Sequence, residues 1–192
     1  MKNIILILTL ILTLSCKAQS NVVGYNSSNI PENAYCKDLN NDLNKFTGTW
    51  KFVNGNTELT IIIVKNEKVY HKYFSKYYID ELAGNYKYIE NGIEIVNTLS
   101  NNFSENFSFS GSEMSEDTNK FSFSLDDPGK PRASYNLNLT YFGRDLNGHI
   151  KLTWKLMQTD YYSGYIPGET PPTTSELDQT IRLPVEVVLI KQ

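Results

Sequence analysis

Apolar residues along most of this chain recur at every second position. The run Phe46-Thr47-Gly48-Thr49-Trp50-Lys51-Phe52 alternates, and Leu59, Ile61 and Ile63 resume the pattern after Asn54-Gly55. Further alternating runs hold Val69, His71 and Tyr73; Leu82, Gly84, Tyr86 and Tyr88; Ile93 and Ile95; Phe107 and Phe109; and Phe121 and Phe123. The last three are Tyr135 to Tyr141, Ile150 to Leu156, and Val185 to Leu189. Successive side chains of a strand point to opposite faces, so period two predicts strands with one face toward a core. The runs amount to about nine or ten strands. Asn54-Gly55, Asn91-Gly92 and Asn147-Gly148 sit between runs, where Asn and Gly tolerate the positive φ of tight hairpin turns. Asp126-Asp127-Pro128-Gly129 predicts a longer turn. No helical periodicity follows residue 46, so the helical crossover between parallel strands cannot be built. The expected fold is all-β, an antiparallel up-and-down meander. A sheet this wide has long exposed edges unless it closes, so a barrel is the expected form.

Helical spacing occurs once in the segment leading into this pattern. Leu39, Leu43 and Phe46 fall at i, i+4 and i+7, with Asp38 placed to cap. A short N-terminal helix over 38–45 is predicted. At one to two turns it needs a surface to cover.

The N-terminus reads as an address. Lys2 supplies a positive start and Ile4 to Leu14 an apolar stretch of about eleven residues, too short to span about 30 Å of hydrocarbon. The following Leu12-Thr13-Leu14-Ser15-Cys16 resembles a bacterial lipobox, which implies acylation of Cys16. Ordinary cleavage after Ala18, at Cys16-Lys17-Ala18, is the alternative. The expected organisation is a lipoprotein signal peptide over 1–15, a polar tether over 16–37 and a β-barrel domain over 38–192. Under either cleavage Cys16 is lipidated or removed, and Cys36 is left as a lone thiol. The expected location is the bacterial cell envelope, lipid-anchored on the periplasmic face or the cell surface.

The opening Gly48-Thr49-Trp50 resembles the first strand of the calycins, the lipocalins and fatty-acid-binding proteins. Those proteins begin with a short helix that closes one barrel end, followed by a Gly-x-Trp strand. The resemblance covers about fifteen residues and implies a lipocalin-like barrel with Trp50 on its floor. It also implies an Arg from the last strand region packed on the Trp face, and Arg182 is the residue placed for that role. Fatty-acid binding does not carry over. The sequence around Arg182 is Arg182-Leu183-Pro184, without the Arg-x-Tyr pair that holds a fatty carboxylate.

Composition narrows the chemistry. The 192 residues carry a net charge of −3 and a pI near 5.4, which argues against a nucleic-acid partner. Two His and two Cys leave little material for a metal site, and no cofactor is expected. No phosphate-binding glycine loop, Gly-x-Ser-x-Gly or Cys-x-x-Cys is present. His71 and His149 read as packing or surface residues, Asp126-Asp127 as turn chemistry, and Glu113, Glu116 and Asp117 as a solvated loop. The suggestive segment is Tyr161-Tyr162-Ser163-Gly164-Tyr165 with the Pro-rich run after it. Tyr161, Tyr162 and Tyr165 could offer apolar faces with polar tips to a sugar, a peptide or a protein. The expected function is non-enzymatic: an anchored envelope lipoprotein binding a small apolar ligand or an envelope component. The alternatives are a protein-binding module, inhibitor or assembly accessory, with a filled barrel, and an envelope hydrolase.

Overall fold

Eleven strands form. They are β1 (Val22–Gly24), β2 (Tyr35–Lys37), β3 (Gly48–Asn54), β4 (Thr57–His71), β5 (Tyr77–Glu90), β6 (Ile93–Asn97), β7 (Phe109–Met114), β8 (Lys120–Asp126), β9 (Ser134–Arg144), β10 (Ile150–Gln158) and β11 (Glu186–Lys191). The computed structural model describes residues 21–25, 27, 29–72, 76–101, 106–130, 134–158 and 181–192. Eight strands close an antiparallel barrel in the order β5-β4-β3-β11-β10-β9-β8-β7, with β7 returning to β5. β1, β2 and β6 are additions outside the closed ring.

The count differs from the periodicity for two reasons. The runs around Ile61 and Val69 are one strand, β4, bent by a bulge between Asn66 and Val69 where Lys68 takes a φ of 58°. The bulge shifts the alternation and makes one strand look like two. β1 and β2 are three residues each, within the stretch read as a tether. They pair in parallel with each other and with the start of β5, outside the antiparallel ring. Ala34 and Cys36 there are fully buried.

The predicted N-terminal helix is corrected to a single 3₁₀ turn, Asp42–Lys45. Asn41, at φ 58°, prevents a helix from starting earlier. The Asp38 carboxylate accepts the amides of Asp42 and Leu43 at 2.8 and 3.0 Å, so it does satisfy the start of the turn. Leu43 and Phe46 are fully buried, while Leu39 stays exposed.

Two hairpins follow the turn chemistry of their sequences. Asn91 and Gly92, at φ 52° and 80°, are the central residues between Glu90 and Ile93, the I′ arrangement. Asn54 pairs with Thr57, so Gly55 takes the first central position at φ 57°. That is the place glycine holds in a II′ turn.

Among the described residues the barrel interior is closely packed. Trp50, Leu59, Ile61, Leu82, Tyr86, Leu137, Leu139, Leu152, Trp154 and Leu189 have no accessible surface. A void able to admit water would leave accessible area on the side chains lining it. Aromatic rings fill the axis from the floor upward. Phe46 meets Phe121 at 5.8 Å, Phe123 meets Phe109 edge-on at 5.3 Å, and Phe109 meets Trp154 at 6.2 Å. The closing seam between β5 and β7 runs over three residue pairs and depends on Gly84. A Cβ there would lie 2.2 Å from the Phe109 ring and 2.7 Å from the Ile62 carbonyl oxygen. Gly84→Ala is therefore expected to destabilise the protein by about 1–3 kcal/mol, the usual range for overpacking. An unchanged urea midpoint for that variant would mean the seam relaxes freely.

β4 and β5 outrun the ring. β3 accompanies β4 only to Ile63, and β7 meets β5 only from Leu82. Residues 64–71 and 77–81 thus project past the barrel floor, widened by β2 and β1. On one face of this flap Tyr35, Tyr78 and Tyr70 lie side by side in register across β2, β5 and β4. Next to them on the same face, the Asp80 carboxylate accepts the Tyr35 hydroxyl at 2.5 Å and the backbone amides of Asp38 and Lys68 at 3.0 and 3.1 Å. Lys65 donates to Asp38 at 3.0 Å and lies 3.8 Å from Asp80. This partly buried charge cluster ties the flap to the turn that closes the floor.

Candidate functional site

Trp50 lies where the calycin resemblance put it. It is fully buried on the floor, and its indole N–H donates to the Phe46 carbonyl at 2.8 Å. Gly48, two residues earlier at φ 107°, packs against the Lys191 side chain, which would be 3.2 Å from a Cβ there. The cation over the indole is Lys191, with Nζ 5.2 Å from the ring centroid. This corrects the expectation for Arg182. β11 pairs antiparallel with β3, so the end of the last strand returns to Trp50 and its start lies at the opposite end of the barrel. Roughly 17 Å of strand separates Glu186 from Lys191.

Arg182 sits instead at the loop end, bound to Asp127. Its Nε donates to Asp127 Oδ2 at 2.9 Å and its Nη2 to Oδ1. The Asp127 side chain is completely buried and that of Arg182 29% exposed. The partnership raises the Arg182 pKa, the hydrogen bond to Asp127 being the largest cause. Asp127 also accepts the Gly129 amide at 2.9 Å, and its carbonyl accepts the Lys130 amide at 2.8 Å. The Asp126-Asp127-Pro128-Gly129 sequence is thus a turn, as its composition predicts, and also one half of an ion pair. Beside it, Trp154 Nε1 donates to the Pro184 carbonyl at 2.8 Å.

A cleft of about 380 Å³ opens next to this pair. Asn101, Asn106, Phe107, Ser108, Asp126, Asp127, Pro128 and Lys130 line it. Its wall is fixed from behind by fully buried Asn85, whose Oδ1 accepts both the amide and the hydroxyl of Ser108 at 2.9 Å. The Asp126 amide donates to the Ser108 carbonyl at 2.8 Å, and the Tyr86 hydroxyl donates to the Asp126 carbonyl at 3.2 Å. Desolvation pushes the Tyr86 pKa well up, so the hydroxyl remains a donor. The mouth combines two amides, two carboxylates, a hydroxyl, an ammonium and one aromatic ring. Such a set makes hydrogen bonds in both directions and suits a polar ligand better than an alkyl chain.

The two histidines, Cys36 and the acidic loop lie away from this cleft. His71 is on the flap, 3.2 Å from the Glu81 carboxylate and beside the Tyr77 ring. His149 is in the β9–β10 turn at the floor end, 3.8 Å from Asp145. Cys36 is fully buried, and burial pushes its thiol pKa up. In the acidic loop, Asp117 closes a turn by accepting the Asn119 amide and pairing with Lys120. Among the described residues no group of three or more His, Cys, Asp or Glu side chains could hold a metal ion. Cys16, Tyr161, Tyr162 and Tyr165 lie outside the described residues.

The cleft was not foreseen from sequence. Asn106 to Ser108 and Asp126 to Lys130 come together because β7 and β8 are neighbours. The polar repeat around Asn106 and the Asp-Asp pair were the available signals, and each has an ordinary loop explanation.

Fold and site together define a filled, eight-stranded antiparallel barrel with a polar cleft at its loop end. Over residues 1–192 the chain matches the model of a family of unknown function, DUF6705, and it belongs to that family. No curated protein and no solved structure matches it.

Proposed function

We propose that this protein is a lipid-anchored component of the bacterial envelope that binds another envelope component at its loop-end cleft and catalyses no reaction. The observation that carries this reading is the solid interior. Among the described residues, an interior occupied by Phe46, Phe121, Phe109 and Trp154 leaves no accessible surface for the apolar ligand expected from the calycin resemblance. The solvent-reaching concavity described above is the polar cleft, which favours the filled-barrel binding module over a carrier.

The chain's entry supports the arrangement. β1 runs parallel to β2 and β5, so its first residue, Val22, is at the floor end. An acylated Cys16 anchors that end, and the cleft faces away from the membrane. No described helix is long and apolar enough to cross a bilayer.

Two measurements test the reading. Cys16→Ser should move the protein from the membrane fraction to the soluble fraction, and an unacylated wild-type N-terminus would remove the anchor. A photo-crosslinking residue at Asn106, on the cleft, should capture an envelope component in living cells that the same residue at exposed Phe142 does not. Equal yields at the two positions would overturn the cleft. Saturable binding of a fluorescent fatty-acid analogue would restore the carrier.

A further inference from the structure

We infer that the loop-end cleft takes a neutral sugar unit of an envelope glycan, its ring laid on Phe107 and Pro128 and its hydroxyls bonded to Asn101, Asn106 and Asp126. This rests on the cleft reading above and names the chemical class of what the cleft holds.

The first argument is the backbone. A peptide that docks as an added strand needs an open row of amides and carbonyls. The chain bordering the cleft has these groups paired within the protein. The Ser108 amide donates to the Gly84 carbonyl at 3.0 Å and to Asn85 Oδ1 at 2.9 Å. The Ser108 carbonyl accepts the Asp126 amide at 2.8 Å, and the Asp126 carbonyl accepts the Tyr86 hydroxyl at 3.2 Å. The Asp127 carbonyl accepts the Lys130 amide at 2.8 Å. A ligand is therefore addressed by side chains. Because buried Asn85 and Tyr86 hold the wall from behind, little ordering is left for binding to supply.

The second argument is charge. Lys130 and Arg182 balance Asp126 and Asp127, and the Asp127–Arg182 pair is closed on itself. The cleft thus carries no net formal charge, which favours a neutral ligand over a phosphate or another anion.

The third argument is the mix of surfaces. Phe107 is half-buried and Pro128 exposed, and these are the apolar faces of the lining. Around them stand the Asn101 and Asn106 amides and exposed Asp126. Each amide both donates and accepts, and a carboxylate accepts from two neighbouring donors. A pyranose has the complementary build, with C–H groups on the faces of its ring and hydroxyls round its edge. The volume of about 380 Å³ lies at the small end of the range for ligand pockets, about 300–1,000 Å³. It suits a terminal sugar unit.

The test uses the purified full-length protein in a detergent without sugar headgroups. N-acetylglucosamine, glucose, galactose and mannose are each titrated to about 20 mM and followed by saturation-transfer NMR. At least one should bind saturably, with a Kd of about 1 mM, as expected for so small a ligand. Phe107→Ala should weaken that binding about tenfold, the share of a stacked ring. Asn106→Ala and Asp126→Ala, at exposed positions, should each weaken it about fivefold with an unchanged urea midpoint. Glycylglycine and inorganic phosphate should not saturate. The inference is overturned if none of the four sugars binds, if binding survives all three substitutions, or if the dipeptide or phosphate binds more tightly than every sugar. In cells, the adduct captured from Asn106 should carry sugar and no foreign tryptic peptide. A captured protein would overturn the sugar and leave the cleft reading standing. Equal capture at Asn106 and Phe142 is the separate result that removes the cleft reading itself.

Discussion

Trp50→Ala is expected to lower stability by about 3–5 kcal/mol, the range for deleting a large buried aromatic. Trp50 is fully buried on the floor, and its removal opens a cavity among Leu43, Phe46 and Leu189 while leaving the Phe46 carbonyl without its indole donor. Against a typical total of about 5–15 kcal/mol, this is enough to unfold a marginal protein. Guanidinium unfolding followed by circular dichroism gives the number. Trp50→Phe keeps most of the volume and loses the hydrogen bond, so it should fall well short of the alanine variant. Lys191→Met should cost less than about 1 kcal/mol, because its ammonium lies over the ring at a partly exposed site. A Trp50→Ala protein within about 1 kcal/mol of wild type would mean that the floor is not part of the cooperative core.

Arg182→Ala is expected to cost about 3 kcal/mol and to deform the cleft. Removing the guanidinium strands a fully buried Asp127 carboxylate, and breaking a buried pair on one side typically costs about 3–5 kcal/mol. The lower end applies because Arg182 itself is partly exposed. The diagnostic comparison is the double variant Asp127→Asn with Arg182→Ala. It removes the stranded charge as well and should be more stable than Arg182→Ala alone. Arg182→Lys should recover only part of the loss, since an ammonium cannot make the paired fork contact. Trp50 should be unaffected in all three, which fluorescence in a Trp154→Phe background would check. A double variant no more stable than Arg182→Ala would refute the stranded-charge account.

These variants mark where sequence reasoning reached and where it stopped. Burial of Trp50 followed from alternation and from a Gly-x-Trp strand beside an apolar turn, all within about fifteen residues. The cation over it could have been found by the same route. First and last strands of a closed meander pair antiparallel, so the residue over a tryptophan near the start of the first strand comes from the end of the last. That residue is Lys191, whereas Arg182 precedes the start of the last strand and so lies at the other end of the barrel. The closing tier of the fold was harder to see. β1 and β2 are too short to show a period, and their burial comes from Ala34, Tyr35 and Cys36 meeting a flap whose length was hidden by the bulge at Lys68. The Asp127–Arg182 pair spans 55 residues and left no local trace, because an aspartate before Pro-Gly already has a sufficient reason to be there.

The seam between β3 and β11 has a kinetic meaning. Trp50 meets Lys191 and Lys51 meets Ile190, so the barrel closes through contacts about as remote along the chain as the fold contains. Bringing such distant segments together carries the largest loop-closure entropy and slows folding. During synthesis β3, β4 and β5 can zip through their hairpins at once, and β8, β9 and β10 likewise. Until β11 is made, however, β3 and β10 each present a bare row of amides and carbonyls. In that interval the nascent sheet is open to pairing with other chains, and the ring is sealed by a strand of only six residues, Glu186–Lys191.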